Sequence, residues 1–468
     1  MTLTTAPRGT YDIMPNQALA WQWLEKNIRE VFLLYGYGEI RTPIFEHTEL
    51  FQRGIGETTD IVEKEMYTFT DKGGRSITLR PEGTASVVRA YIEHKLYGQA
   101  PVAKLYYLGP MFRQERPQAG RFRQFHQFGV ELIGDESPVA DAEVILLAHD
   151  LYRRLGLTDL EIHLNSVGCP HCRQEYKRVL TSMLKAAAGE LCPTCRVRLD
   201  RNPLRLLDCK NAACQGILSR VPPIQNYLCT DCRHHFDQVV ALLETVNVKY
   251  ELSPRLVRGL DYYFRTVFEI LNKDLGAQNA LCGGGRYDGL VEECGGPAVP
   301  GVGFASGIER VLTTLEQRGK LPEFSNSPNL YLIPLGEQLS AVAFSLATTL
   351  RRAGYIVELG NGRKSLKSQL KTAHKSGAAL AVIIGEDEWQ AREVTFKKMD
   401  DGSQKRIAVA DLATEIVKLV HPSVGTSKMG KGSQERSSVD DLIDTLQKEL
   451  AMVNHLVVPL TNCTNKEE

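Results

Sequence analysis

The chain has 468 residues, 43% hydrophobic and 24% charged, and its 56 basic and 56 acidic side chains cancel. That length corresponds to about three domains, and that composition excludes disorder over most of the chain and any fibrous class. No run of about eighteen apolar residues occurs and the first sixteen residues lack a secretory apolar stretch, so the expectation is a cytoplasmic protein without a membrane span.

In chain order, residues 16–35 read as a helix. Asn16 takes the cap position, and Leu24, Ile28, Val31, Phe32 and Tyr35 recur with helical spacing. Residues 38–45 read as a strand whose Pro43 points to an edge or an interface. Strands follow at 75–80 and 102–108, with helices at 84–97 and 139–155. Residues 169–232 differ in composition and read as an insertion. Strands return at 262–270 and 302–306, ahead of a helix at about 307–318. LPEFSNSPN at 321–329 is a linker by its Pro, Ser and Asn content. Beyond it, strands at 330–334, 355–359 and 380–384 alternate with helices at 338–353 and 364–376, the pattern of a small parallel α/β domain. Residues 422–438 have linker composition, and Ser438 with Asp441 resembles a capping box before a short helix.

Eight of the eleven cysteines fall in four close pairs: Cys169 with Cys172, Cys192 with Cys195, Cys209 with Cys214, and Cys229 with Cys232. In a reducing compartment this reads as a metal site rather than a disulfide framework. Eight thiolates suffice for two tetrahedral structural zinc sites. The bland alternative is eight reduced thiols used as small packing groups. In either case the block stands outside the other motifs, so zinc there would staple the insertion and leave the chemistry elsewhere untouched.

The most informative stretch is 106–134, where RQER at 113–116 precedes a PQAG turn and then RFRQFHQFGVEL at 121–132. On a strand, Phe128, Val130 and Leu132 share one face, suited to packing under helices. Gln127, Gly129 and Glu131 take the other face, which suits the floor of a polar pocket. Three more stretches carry the same polar and glycine-rich character: RPEGT at 80–84, RGLDYY at 258–263 and CGGGRYDGL at 282–290. GVGFASGIER follows at 301–310. With these in order, the chain resembles the histidyl-tRNA synthetases, a family of class II aminoacyl-tRNA synthetases, over roughly residues 7–420. The helix and the Pro43 strand are similar to motif 1 of that class, Arg113 and Glu115 to motif 2, and Gly307 to Arg310 to motif 3.

The resemblance implies an α+β fold: a class II antiparallel sheet flanked by helices in a catalytic domain at 1–325. It implies a mainly helical Cys-rich insertion at 169–250, an anticodon-binding α/β domain at 326–421 and a flexible tail at 422–468. It implies activation of histidine with ATP and Mg2+ to histidyl-adenylate, transfer to tRNA(His), and a homodimer formed through motif 1. The nucleophile of activation is an ionised carboxylate, so the site needs charge clamping and orientation, not a base. By resemblance Arg113 holds the α-phosphate, Glu115 faces the adenine, Arg310 takes the γ-phosphate, and Arg258 adds a guanidinium at the reacting centre. Arginine suits these places because its fork matches phosphate oxygens and stays charged. Glu82, Gly83, Thr84 and Gln127 belong to the site for the amino and carboxylate groups. Glu131 and Tyr263 take the two imidazole nitrogens and Tyr287 walls the pocket, while Tyr262 belongs to the same site with its ring packed as core.

Residues 351–375 hold seven basic side chains against one acidic, with Lys364, Lys367, Lys371 and Lys375 spaced as one helical stripe. Such a stripe is either a solvated face or, in an anticodon-binding domain, a phosphate contact. Arg116, Arg121 and Arg123 are candidates for the acceptor end of the tRNA. A rival class is the synthetase-like regulatory subunit of ATP phosphoribosyltransferase, but such proteins typically lack the C-terminal domain and drift at the clamping arginines. A zinc-ribbon nucleic-acid module would account for the cysteine block alone.

Overall fold

The computed structural model describes residues 4–420 apart from 57, 58, 60, 118, 119, 274–278 and 325, together with 444 and 448. The chain forms two compact units, Met1–Phe324 and Ser325–Glu468. Among the described residues, no helix is long and apolar enough to cross a membrane.

The first helix, Pro15–Leu34, buries Leu24, Ile28, Val31 and Phe32 as their spacing predicts. It starts earlier than expected. Met14 rather than Asn16 is the cap residue, because Pro15 comes with a helical φ and no N–H to satisfy. Gln17 accepts from the Met14 N–H at 3.1 Å.

The single strand expected at 38–45 is two. β1 (Gly38–Glu39) and β2 (Phe45–His47) belong to different sheets, divided at Pro43. Here the Arg80 guanidinium donates to the carbonyls of Thr42 at 3.0 Å and Pro43 at 3.3 Å, replacing ladder partners. β3 (Tyr67–Thr70) and β4 (Ser76–Leu79) complete a small sheet with β2.

The main sheet joins β1 to β5 (Ala103–Phe112), β6 (Gln124–Ile133), β7 (Glu161–Ser166), β8 (Glu251–Leu252), β9 (Phe264–Leu271), β10 (Ala280–Arg286) and β11 (Gly301–Gly307). Its order is β1-β5-β6-β11-β10-β9-β7-β8. The inner pairings are antiparallel, and only the two edge pairings are parallel. One face carries the core. Phe128, Val130 and Leu132 of β6 cluster there with Leu24, Ile28, Leu147 and Val311 from the covering helices, as the two-residue alternation predicts. In this sheet β7, β8 and β10 escaped the sequence reading, as did β3 in the small one. The three glycines of β10 suggest a turn, yet Gly283 to Gly285 hold ladder register with β9 and β11. The Cys-rich segment supplies helices Pro170–Ala186, Pro193–Arg201 and Ala212–Leu218. Its last helix, Thr230–Thr245, puts Phe236, Val239 and Leu243 into the main core.

In the second unit, β12 (Leu330–Pro334), β13 (Val357–Leu359) and β14 (Leu380–Ile384) are parallel. β15 (Glu393–Lys398) and β16 (Gln404–Ala408) then return antiparallel, so the domain is mixed rather than wholly parallel. The connection from β14 to β15 contains only the short helix Glu386–Gln390, too little chain for a parallel crossover of about a dozen residues. The expected linker at 422–438 and the Ser438/Asp441 capping box lie outside the described residues.

Candidate active site

The sheet face opposite the covering helices floors a polar cavity of about 680 Å3. Gln127 and Glu131 of β6 reach into it, with Glu82 and Thr84 from the RPEGT stretch and Tyr262, Tyr263 and Tyr287 from the two later motifs. Glu131 is its buried centre, 1% exposed. Thr84 Oγ1 donates to Glu131 Oε1 at 2.7 Å, and the Tyr287 hydroxyl donates to Oε2 at 2.5 Å. Burial pushes the Glu131 carboxyl up to about 8, with Glu82 adding to the rise and the two hydroxyls opposing it. Gly303 lies opposite Glu131 on β11, where a Cβ would stand 2.2 Å from Glu131 Oε2. Only glycine leaves room for the carboxyl.

Glu82 accepts from the backbone N–H groups of Thr84 and Ala85, both at 2.8 Å, at the start of helix Thr84–Glu93. Burial raises its carboxyl, against those bonds. Gly83 sits under the Tyr107 ring, which a Cβ would meet at 2.3 Å. Gln127 Oε1 is buried with no hydrogen-bond partner among the described residues, an arrangement that a bound donor would relieve. The rings of Tyr262 and Tyr263 pack tilted with centroids 4.8 Å apart, and Tyr262 meets Tyr287 edge-on at 5.8 Å.

The other end of the cavity is cationic. Arg113, Arg258 and Arg310 all line it. Arg113 Nε donates to the Pro81 carbonyl at 2.9 Å, and its guanidinium lies 5.2 Å over the Phe125 ring. Arg310 donates to the Ala280 carbonyl at 2.8 Å. Burial lowers its pKa, and the like charges of Arg121 and Arg113 add to the fall. Arg258 is bonded to Glu269, which more than offsets its burial and raises its pKa. Gly283 makes space for this pair, since a Cβ there would lie 2.1 Å from Arg258 Nη2. The sequence reading missed Glu269, although alternation along β9 places it on one face with Arg265 and Val267. Glu309 of motif 3 holds the frame together by accepting from the His126 backbone N–H at 2.9 Å.

In the loop after β5, Glu115 and Arg121 both line the cavity and pair at 2.9 Å. Arg123 donates to the Glu115 carbonyl at 3.4 Å, while Arg116 is exposed. In the second unit the helix begins at Leu366 behind a Ser365 cap, so Lys364 stands outside the stripe. Lys367, Lys371 and Lys375 remain on it and are exposed, with Ala373 buried on the inner side. Leu366, expected inside, is exposed.

The eight cysteines form two nested clusters. Cys169, Cys172, Cys229 and Cys232 make one, and Cys192, Cys195, Cys209 and Cys214 the other, with all Sγ atoms of each cluster within 4.8 Å of one another. All eight are free thiols. The Cys169–Cys172 and Cys192–Cys209 sulfur separations are 3.5 and 3.9 Å. A Zn–S bond of about 2.3 Å gives a tetrahedral edge of about 3.8 Å, so the donor set fits a metal ion. Backbone N–H groups of Cys229 and Cys214's neighbour in the cluster, Cys192, point at Cys172 and Cys214 sulfurs at 3.1 and 3.3 Å. The block stands outside the other motifs in sequence, yet Cys192 and Cys209 line the cavity. Chain folding between the paired cysteines brings them there.

Residues 9–311 match the family model for histidyl-tRNA synthetase, and residues 329–419 that for an anticodon-binding domain. A histidine–tRNA ligase of Halothermothrix orenii is 55% identical over 416 residues, 89% of this chain and 99% of that protein. The apo histidyl-tRNA synthetase of S. aureus is 39% identical with a TM-score of 0.74, covering 89% of this chain and 100% of its own. A Bacillus halodurans protein described as an ATP phosphoribosyltransferase regulatory subunit/histidyl-tRNA synthetase shares the fold at 23% identity and a TM-score of 0.59, over 82% of this chain and 98% of its own. The match thus runs through both units and the cavity between its acidic and cationic ends: the chain belongs to the histidyl-tRNA synthetase family, enzymes that ligate histidine to tRNA.

Proposed function

We propose that the cavity binds histidine at its Glu131 end and ATP, entering as the Mg2+ complex, at its arginine end. The histidine carboxylate oxygen attacks the α-phosphorus, the bond to the oxygen bridging α- and β-phosphorus breaks, and diphosphate leaves. The terminal ribose hydroxyl of tRNA(His) then attacks the histidyl carbonyl and AMP leaves. The observation that carries this reading is the polarity of one cavity, with three guanidinium groups facing a buried carboxyl. Arg113 and Arg258 clamp the charge at the reacting centre, and Arg310 takes the γ-phosphate. Glu115 faces the adenine. Glu131 and Tyr263 bind the imidazole, with Tyr262 and Tyr287 as walls. Glu82, Thr84 and the unpartnered Gln127 oxygen receive the amino and carboxylate groups.

Histidine-dependent pyrophosphate exchange tests the reading, and its absence in folded protein would overturn it. Glu131→Gln should raise the KM for histidine about ten- to hundred-fold, the worth of one charge-assisted hydrogen bond. The KM for ATP should stay unchanged, and an unchanged histidine KM would refute the role of Glu131.

Arg116, Arg121 and Arg123 would meet the acceptor end of the tRNA, and Lys364, Lys367 and Lys371 its phosphates. Converting Lys367 and Lys371 to alanine should weaken tRNA binding and lower its log–log salt slope by about 0.7–0.9 per lost contact, without slowing adenylate formation. Equal loss of both activities would assign the lysines to folding instead. The enzyme would act in the cytoplasm as a homodimer through the motif 1 region. Leu33 and Leu34 there are 72% and 77% exposed, and Ile44 and Phe45 are exposed as well, which supports a covered surface. Each four-cysteine cluster would hold one zinc ion, since thiolates in a closed tetrahedral set are the usual structural zinc site.

A further inference from the structure

The segment between β8 and β9 has no regular secondary structure, yet it carries Arg258, Tyr262 and Tyr263 of the cavity. Backbone groups outside a ladder need partners from elsewhere. Two side chains of the cysteine block supply them, and a third holds a side chain of the loop. Arg173, adjacent to Cys172, donates to the Tyr263 carbonyl at 3.0 Å and the Asp261 carbonyl at 3.4 Å. Asn202 ends the helix that Cys192 caps, and donates to Asp261 Oδ1 at 2.8 Å. Arg205, in the short helix Pro203–Asp208 before Cys209, donates to the Arg258 carbonyl at 3.1 Å.

Each donor therefore stands on chain that a cluster pins. Arg173 is next to a ligand of the outer cluster. Asn202 and Arg205 lie between Cys195 and Cys209 of the inner one. The helix there, Pro193–Arg201, has nine residues, and a helix shorter than about twelve is marginal on its own. Closing the inner cluster holds that stretch in place, because structural metal binding is coupled to local folding.

We propose that Arg173, Asn202 and Arg205 are positioning residues that pass the order of the two cysteine clusters to the 258–263 loop, so that zinc binding sets the affinity for histidine. This rests on the zinc reading above. It also replaces the expectation that the insertion and the adenylation chemistry are independent.

The test uses the full-length enzyme. Zinc per chain is measured by elemental analysis before and after chelation, together with amide hydrogen exchange over 256–263 and KM for histidine and for ATP. Two zinc ions per chain are expected at the start. Their removal should speed exchange in the loop and raise the histidine KM about ten-fold, with the ATP KM changed less than about two-fold. Protein that purifies without zinc would overturn the metal reading. Protein that loses zinc with unaltered loop exchange and histidine KM would overturn the coupling alone. Arg205→Ala, read without chelation, should keep both zinc ions, speed loop exchange and raise the histidine KM. Arg205→Lys, still a donor, should recover part of each effect. Full zinc with wild-type exchange and histidine KM in Arg205→Ala would end the positioning role.

Discussion

Replacing Arg113 by alanine is expected to lower histidine-dependent pyrophosphate exchange by about two to three orders of magnitude, the usual effect of removing one preorganised charge-stabilising donor. The side chain is aimed before substrate arrives. Its bond to the Pro81 carbonyl and its stacking over Phe125 fix the guanidinium at the cavity wall. Arg310 and Arg121 add nearby positive charge, which concentrates the field on the place where a phosphate would sit. Because the interaction strengthens as charge develops in the transition state, kcat should fall more than either KM rises. Arg113→Lys should recover little, since an ammonium cannot reproduce the planar fork. Exchange within about three-fold of wild type in Arg113→Ala would remove this arginine from the reacting centre.

A second large effect is expected on stability. Arg286 is fully buried, as is its partner Asp141. Its guanidinium bonds Asp141, donates to Asp288 Oδ1 at 3.0 Å, and donates to the carbonyls of Asp135 at 3.0 Å and Ser137 at 3.1 Å. His235 Nε2 stands 3.3 Å from the other oxygen of Asp141. Arg286→Ala strands the Asp141 charge in the core and frees two carbonyls, so a loss of about 3–5 kcal/mol is expected from denaturant unfolding. Burial pushes the Asp141 carboxyl up, but His235 and Arg286 more than offset this and leave it below its ordinary 3.8. The stabilisation is thus whole above about pH 4 and is lost as the pH falls through the lower folded value. The deficit of the variant should accordingly shrink on acidification below about pH 4. A pH-independent deficit would show that lost packing, not the ion pair, dominates.

Arg286 belongs to the CGGGRYDGL stretch, and its role was not legible there. Nothing local assigns this arginine a partner, and only the packed structure turns it inward to tie β10 to the turn before helix Pro138–Arg154. Glu269 is a similar case. Alternation along β9 puts it on the cavity face, but nothing local pairs it with Arg258 eleven residues earlier. Glu131 was legible, because the alternation of β6 separates Phe128, Val130 and Leu132 from the polar face. Its elevated pKa was not, since that depends on burial by distant parts of the chain and on the nearby charge of Glu82.

The sequence alone determined what repeats locally or recurs in order. The helical spacing of Leu24, Ile28, Val31 and Phe32, the two faces of β6, the α/β alternation after residue 330 and the ordered motifs from RPEGT to GIER all follow from near neighbours. Tertiary structure decided what depends on long-range partners. It broke the 38–45 strand at Pro43, whose neighbouring carbonyls Arg80 satisfies from a different segment. It made the glycine-rich segment a central strand, where absent side chains leave room for Arg258 and for the ladder. It also nested the cysteine pairs, outer with outer and inner with inner. Cysteine spacing cannot choose among such pairings, because which sulfurs meet is set by how helices 170–186, 193–201 and 230–245 pack, and that packing brings the block against the loop that carries Arg258 and Tyr263.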